Sequence, residues 1–218
     1  MKTTVLKVDP QHPDAHVIEI AGETIKKGGL VAFPTETVYG LAASAFNESA
    51  IRRVYEAKGR PANNPLPVQV ADKEDISRLA AELPEAAECL IDHFMPGPIT
   101  IVLHAKPHVP TMVTADTGKV GVRIPDHPVA LALIRAAGTP IVAPSANISG
   151  QPPPTTAEEV ISYLDGRIEI VLDAGQTNLG IASTVVDATQ TPVRIIRQGS
   201  ISPDMLSVCL DKEKQAND

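Results

Sequence analysis

Leu30-Val31-Ala32-Phe33-Pro34-Thr35-Glu36-Thr37-Val38-Tyr39-Gly40-Leu41 is the stretch from which the fold is read. Ahead of it, His16 to Lys27 carries apolar residues at helical spacing and runs into Gly28-Gly29, a helix stop. Leu30 to Phe33 is a short apolar run suited to a buried strand, and a threonine-rich loop follows at once. A helix, a buried strand and a polar loop in this order point to an α/β domain, whose strand-end loops usually hold the ligand. On local grounds alone the loop is equally an ordinary strand-to-helix turn whose threonines cap backbone groups.

The alternation continues outward. Strands are expected at Ile99 to Leu103, Val120 to Ile124, Pro140 to Ala143, Ile168 to Leu172, Ser183 to Val186 and Val193 to Arg197. Helices are expected at Glu48 to Lys58, Lys73 to Leu83, Glu85 to Phe94, Pro128 to Ala137 and Ala157 to Leu164. Thr156 and Glu159 have capping-box spacing, and Gly59 suits the position just past a helix end. The pattern predicts a twisted, mixed sheet flanked by helices, and 218 residues suffice for one large domain. Beyond Gly199 the chain turns polar, so 201–218 is expected to be a partly disordered tail too short for a second domain.

Composition narrows the function classes. A net charge of −7 argues against a surface devoted to nucleic acid, so a polyanion must be met by a few cations focused in a cleft. Aromatic residues make up 3% with no Trp, which weakens any base-stacking platform. No apolar run approaches the roughly 18 uncharged residues of a membrane span, and the first residues lack a signal-peptide core, so a cytoplasmic location is the default expectation. Cys89 and Cys209 belong to no C-x-x-C pattern, and Cys89, in a helical run, reads as a small core residue. His104 and His108 are separated by Pro107, so no helix aligns them as metal ligands, and no protein-bound metal is expected.

Two further runs look built for an anion. Lys58-Gly59-Arg60-Pro61 with Asn64-Pro65-Leu66 joins a mobile point charge to a rigid donor fork, a pairing suited to polyphosphate, although Lys58 and Arg60 could also be a solvated helix end. Pro144-Ser145-Ala146-Asn147-Ile148-Ser149-Gly150 sets short hydroxyl and amide side chains between Pro and Gly, where they could equally be turn formers. Arg123 interrupts the apolar run Val120 to Ile124, and a buried arginine needs a fixed anionic partner, protein or ligand. Neither a P-loop nor a G-x-G-x-x-G fingerprint occurs, so any enzyme here works by positioning and electrostatics.

Taken in order, PTETVYGL (34–41), KGRP with NPL (58–66), PGPIT (96–100), VGVRIPDHP (120–128), SANISG (145–150), STVVD (183–187) and IIRQG (195–199) resemble the YrdC-domain L-threonylcarbamoyladenylate synthases. The resemblance spans about residues 15–200, with 1–14 as an N-terminal extension, and matches the short form that lacks a further C-terminal domain. It implies a YrdC-like domain with a concave, locally basic cleft. It also implies a nucleotidyltransferase that makes threonylcarbamoyl-AMP and pyrophosphate from L-threonine, bicarbonate or carbon dioxide, and ATP, with Mg²⁺ carried on the phosphates. A separate tRNA-modifying complex would take the product for N6-threonylcarbamoyladenosine at position 37, and weak tRNA binding is a further expectation.

Position by position, the resemblance implies that Lys58, Arg60, Ser145 and Asn147 form the catalytic signature. It implies ATP contacts at Arg60, Asn64, Lys119, Ser145 and Arg197, and threonine contacts at Thr37, Gln69, Arg123, Ala143 and Ser183. Two positions depart from the family: Gln69 stands where His is common, and Pro153 where Ser often follows the SANISG run. Gln cannot titrate near neutrality, and Pro offers neither hydroxyl nor N–H. The Pro-rich stretch Gln151 to Thr156 is a candidate wall or lid over the labile intermediates. Two other readings stay open: a non-catalytic double-stranded RNA or tRNA binding module, and carbamoyl-adenylate chemistry on another acceptor.

Overall fold

The computed structural model describes residues 2–215, with side chains through 210. In chain order the elements are β1 (Thr4–Lys7), α1 (Ala15–Lys26), β2 (Val31–Phe33), β3 (Gly40–Ser44), α2 (Glu48–Lys58), β4 (Val68–Gln69) and a 3-10 turn over Lys73–Arg78. There follow α3 (Glu85–Phe94), β5 (Ile99–His104), α4 (Thr111–Thr114), β6 (Lys119–Arg123), α5 (Pro128–Ala137) and β7 (Ile141–Val142). The chain ends with α6 (Ala157–Leu164), β8 (Ile170–Asp173), β9 (Thr184–Asp187), β10 (Arg194–Arg197) and α7 (Pro203–Gln215).

The strands form one mixed sheet in the order β1-β8-β2-β3-β7-β4-β6-β5-β9-β10. Period-two alternation decides what each strand buries. On and beside β2, Val31 and Phe33 join a cluster with Ile18, Ile25 and Leu133 of α1 and α5, while Leu30 and Ala32 belong to a second cluster with Ile51, Val54, Leu90 and Val160 of α2, α3 and α6. Both faces of the sheet are therefore covered, which is why the strands read as continuous apolar runs. Gly22 lets α1 lie against α5, since a Cβ there would sit 2.7 Å from Ala136 Cβ.

The helix ends at α2 and α6 are capped by side chains. Asn47 caps α2 by accepting the Ala50 N–H at 3.1 Å, and Gly59 closes the helix in the left-handed region at φ 56°. The capping box at α6 forms with a shift: Thr156 Oγ1 accepts the Glu159 N–H at 3.3 Å, while Glu159 Oε2 accepts from the Thr155 N–H at 2.6 Å.

Several expectations need correction. PTETVYGL leads into a strand rather than a helix: β3 is buried between β2 and β7, and its Gly40-Leu41-Ala42-Ala43-Ser44 composition gives little strand signal. Gly40 is required there because a Cβ would press on the Phe33 ring at 2.9 Å. Lys73 to Leu83 is a six-residue 3-10 turn instead of a full helix. Within 1–14, Thr4–Lys7 pairs in parallel with β8 and is part of the sheet. Pro203–Gln215 of the expected tail is a helix packed on α3 through Leu206 and Cys209; Ala216 to Asp218 lie outside the described residues. Cys89 is not a free core thiol but forms a disulfide with Cys209, 120 residues away, at a Cα–Cα distance of 5.6 Å. No helix among the described residues is long and apolar enough to cross a membrane.

Candidate active site

A cleft of about 360 Å³ opens along the sheet around β4, β6, β5, β9 and β10. Nine residues singled out from the sequence line it: Thr37, Arg60, Gln69, Lys119, Arg123, Ala143, Ser145, Ser183 and Arg197. Lys58, Asn64 and Asn147 are not on its wall, and each is hydrogen-bonded close beside it.

Lys58 ends α2 with its side chain fully buried, and its Nζ donates to the carbonyls of Ser145 (2.5 Å) and Asn147 (2.6 Å). Burial, with the nearby Arg60 charge adding to it, pulls its pKa down to about 7. A neutral amine still has two N–H groups, so both carbonyls are served in either protonation state. Lys58 thus shapes the SANISG turn from behind. The turn is further laced to PTETVYGL by Ala146 N–H to Tyr39 O (2.8 Å) and Leu41 N–H to Pro144 O (2.7 Å), and to α2 by Ser149 N–H to Lys58 O (2.8 Å). Asn147 Nδ2 closes the turn on the carbonyls of Ile148 (2.9 Å) and Gln151 (2.7 Å), and its buried Oδ1 has no partner among the described residues. Asn64 contributes its carbonyl, which accepts from Arg60 Nε at 3.1 Å and from Tyr55 Oη at 2.9 Å.

Three arginines converge on the cleft of this acidic chain. Arg60 Nη2 is fixed by Pro65 O at 2.8 Å. Arg197 clasps Ser183, with Nε 3.1 Å and Nη2 2.9 Å from its carbonyl oxygen. Burial lowers the Arg197 pKa, and repulsion from Arg123 and Arg60 adds to the effect. The group is arranged to receive negative charge, and an anion among the three relieves their mutual repulsion.

Arg123 is buried on β6, with Nε donating to Gly97 O at 3.1 Å and Nη2 to Thr37 Oγ1 at 3.1 Å. Its anionic protein partner, missed from the sequence, is Glu36 of PTETVYGL. Nη2 lies 2.7 Å from Glu36 Oε1, yet neither carboxylate oxygen has a well-aligned hydrogen bond among the described residues, so the pairing is mainly charge attraction. Nη1 has no bond among the described residues. Thr35 supplies the turn capping expected of this loop, accepting the N–H groups of Thr37 and Val38 at 3.2 Å, which leaves Thr37 to face Arg123.

Gln69 is paired in register with Arg123 across β4 and β6, and its buried Oε1 has no partner among the described residues. Ser183 Oγ and Thr100 Oγ1 are 2.9 Å apart, which adds Thr100 to the wall. Lys119 reaches Asp187 Oδ2 at 2.9 Å, a salt bridge across the rim that the motif reading missed because Asp187 closes a strand. The stretch Gln151 to Thr156 does not line the cleft. It is held behind it, Pro154 O accepting the Tyr39 N–H at 2.9 Å and Thr155 O the Thr177 N–H at 2.9 Å.

A model of the Sua5/YciO/YrdC family, described as telomere recombination, matches residues 23–199. Threonylcarbamoyl-AMP synthase of Pyrococcus abyssi is 50% identical over 184 residues, 84% of this chain and 54% of its own length. The Bacillus subtilis protein of that name is 45% identical over 203 residues, 93% of this chain and 57% of its own. The chain thus spans little more than half the length of these two relatives. The crystal structure of P. abyssi Sua5 complexed with L-threonine superposes with a TM-score of 0.93 at 45% identity, covering 95% of this chain and 61% of that one. With the family match over most of its length and these likenesses in sequence and fold, the chain belongs to the Sua5/YciO/YrdC family.

Proposed function

We propose that this chain makes threonylcarbamoyl-AMP and pyrophosphate from L-threonine, carbon dioxide or bicarbonate, and ATP. The observation that carries the reading is the division of one cleft into two kinds of wall. Arg123, Thr37, Ser183 and Gln69 offer one cation and short neutral groups, suited to a small hydroxy amino acid. Arg60, Arg197 and Ser145 offer charge and hydroxyl, suited to phosphates. The threonine bound in P. abyssi Sua5 supports the first assignment.

In the proposed sequence the unprotonated amine of threonine adds to carbon dioxide and loses a proton, giving an N-carboxylate. A carboxylate oxygen then attacks the α-phosphorus of ATP. The bond from the α-phosphorus to the bridging oxygen breaks, and pyrophosphate leaves with that electron pair. Arg60 and Arg197 hold the phosphates and neutralise the charge that grows on the leaving group. Mg²⁺ enters with the nucleotide; Asp187, a carboxylate on the cleft wall, is already taken up by Lys119 and Thr189. The product is a labile mixed anhydride, so a tRNA-modifying partner that consumes it is part of the reading. The net charge of −7 gives an RNA-binding role little support.

The test is pyrophosphate release from ATP and bicarbonate with L-threonine, with L-serine, and with neither. Threonine-dependent release is expected; release favouring another amine would move the reaction to a different acceptor. Arg60→Ala is expected to lower turnover about 10²- to 10³-fold with unchanged circular dichroism. Gln69 is the acceptor left waiting for a donor, so Gln69→Leu is expected to raise the KM for threonine about tenfold, with the KM for ATP little changed. Equal effects on both substrates would place Gln69 outside the threonine wall.

A further inference from the structure

Away from the cleft, Cys89 and His93 stand one turn apart on α3, and Cys209 of α7 comes down on both. The ligand atoms of the three lie within 4.8 Å of one another. His93 Nδ1 is 3.6 Å from the Cys89 sulfur and 3.8 Å from the Cys209 sulfur. A tetrahedral zinc ion, with bonds of about 2.3 Å to sulfur and about 2.0 Å to nitrogen, sets sulfur and nitrogen about 3.5 Å apart. Both sulfur–nitrogen distances therefore already suit ligands of a single ion. A disulfide needs no third donor, yet an imidazole nitrogen is placed almost equally far from its two sulfurs.

We propose that, once the Cys89–Cys209 bond is reduced, Cys89, His93 and Cys209 bind one divalent ion of the thiolate-seeking kind, Zn²⁺ being the best match. The ion then fastens α7 to α3 in the place of the disulfide. The reductant is a dithiol: two electrons and two protons pass to the sulfurs, giving two thiols, while the dithiol closes to its own disulfide. Metal binding releases both thiol protons. His93 Nδ1 now donates to the Cys89 carbonyl at 2.9 Å, and ligation through Nδ1 moves that proton to Nε2. Cys209 is buried, Cys89 half-buried and His93 exposed. The cluster has no fourth His, Cys, Asp or Glu ligand among the described residues, so water completes the tetrahedron on the His93 side. Asp92, next in sequence, is engaged by Lys73.

The fastening bears on the cleft through the chain between α7 and Arg197. Thr184 Oγ1 accepts the N–H groups of Gly199 (2.9 Å) and Ile201 (3.1 Å), which joins the start of the α7 segment to the strand beside Ser183. A metal or disulfide at Cys209 holds the middle of α7 on α3.

The experiment uses the full chain, reduced with a dithiol, desalted without air and titrated with Co²⁺ as a coloured substitute for Zn²⁺. One equivalent is expected to bind with thiolate-to-cobalt charge-transfer absorption and tetrahedral d–d bands, and Zn²⁺ is expected to displace it. Cys209→Ser should lose at least half of the charge-transfer intensity, and His93→Ala should weaken binding at least tenfold. Because His93 is exposed, that second variant keeps the test decisive if the cysteine variant folds poorly. No charge-transfer band in the reduced protein, a pair that stays oxidised in excess dithiol, or His93→Ala binding as tightly as the parent overturns the proposal.

Discussion

Arg123→Ala is expected to weaken L-threonine binding by about 2–5 kcal/mol, roughly 30- to 5,000-fold, and to destabilise the fold at the same time. The two effects have different causes. Glu36 and Arg123 are both almost fully buried and 2.7 Å apart, so removing the guanidinium strands a carboxylate away from water, which costs about 3–5 kcal/mol. The Gly97 carbonyl and the Thr37 hydroxyl lose their donor as well. The double variant Arg123→Ala/Glu36→Gln removes the stranded charge and is expected to recover a large part of the stability in urea denaturation. It should recover none of the threonine affinity measured by calorimetry, because the partner of the ligand carboxylate is still missing. Affinity that returns along with stability would mean that Arg123 only holds the loop.

Lys58→Met is the second large effect. Methionine fills a similar volume and deletes the donor, leaving the Ser145 and Asn147 carbonyls short of a bond inside the protein. Each such loss costs about 1–3 kcal/mol, so the two together should lower the unfolding free energy by about 2–6 kcal/mol. Turnover should fall too, since Ser145 sits on a turn that Lys58 shapes, even though Lys58 is not on the cleft wall. The pH dependence supplies a signature that a simple packing change lacks. In the folded chain the Lys58 pKa is about 7, below the ordinary 10.5, so between these values the unfolded chain binds the extra proton. Stability due to this group therefore rises with pH across that window, by at most about 1.4 kcal/mol per unit, and below pH 7 the cost of burying the ammonium is fully present. Subtracting the Lys58→Met profile from that of the parent should expose this rise; a flat difference between pH 7 and 10 would show that Lys58 is buried without such a shift.

How much of this was legible in the sequence depends on how far each signal travels along the chain. Strands with β-branched runs, such as Ile99–His104 and Thr184–Asp187, announce themselves locally, and so do helices with Thr156 at the start or Gly59 at the end. Gly40–Ser44 does not, because Gly40 must approach Phe33 closely and the other small residues, in a central place in the sheet, carry little strand propensity. Arg123 was recognisable as a charge in an apolar strand needing an anion, but Glu36 could not be matched to it across 87 positions without the sheet. The same limit hid the Cys89–Cys209 pair. Lys58 was read as a cleft cation from its motif, although chain direction at the end of α2 turns it inward beneath the SANISG turn. Nine of the chosen site residues nevertheless line one cleft, because a resemblance in motif order records spatial neighbours that spacing alone cannot.

The measurement that tests the central claim most directly is mass detection of the product formed from ATP, L-threonine and ¹³C-bicarbonate. The account predicts an adenylate of threonylcarbamoyl mass carrying one ¹³C and one threonine, with equimolar pyrophosphate. ATP that is consumed without a threonine-containing adenylate, or an adenylate that carries no ¹³C, would contradict it.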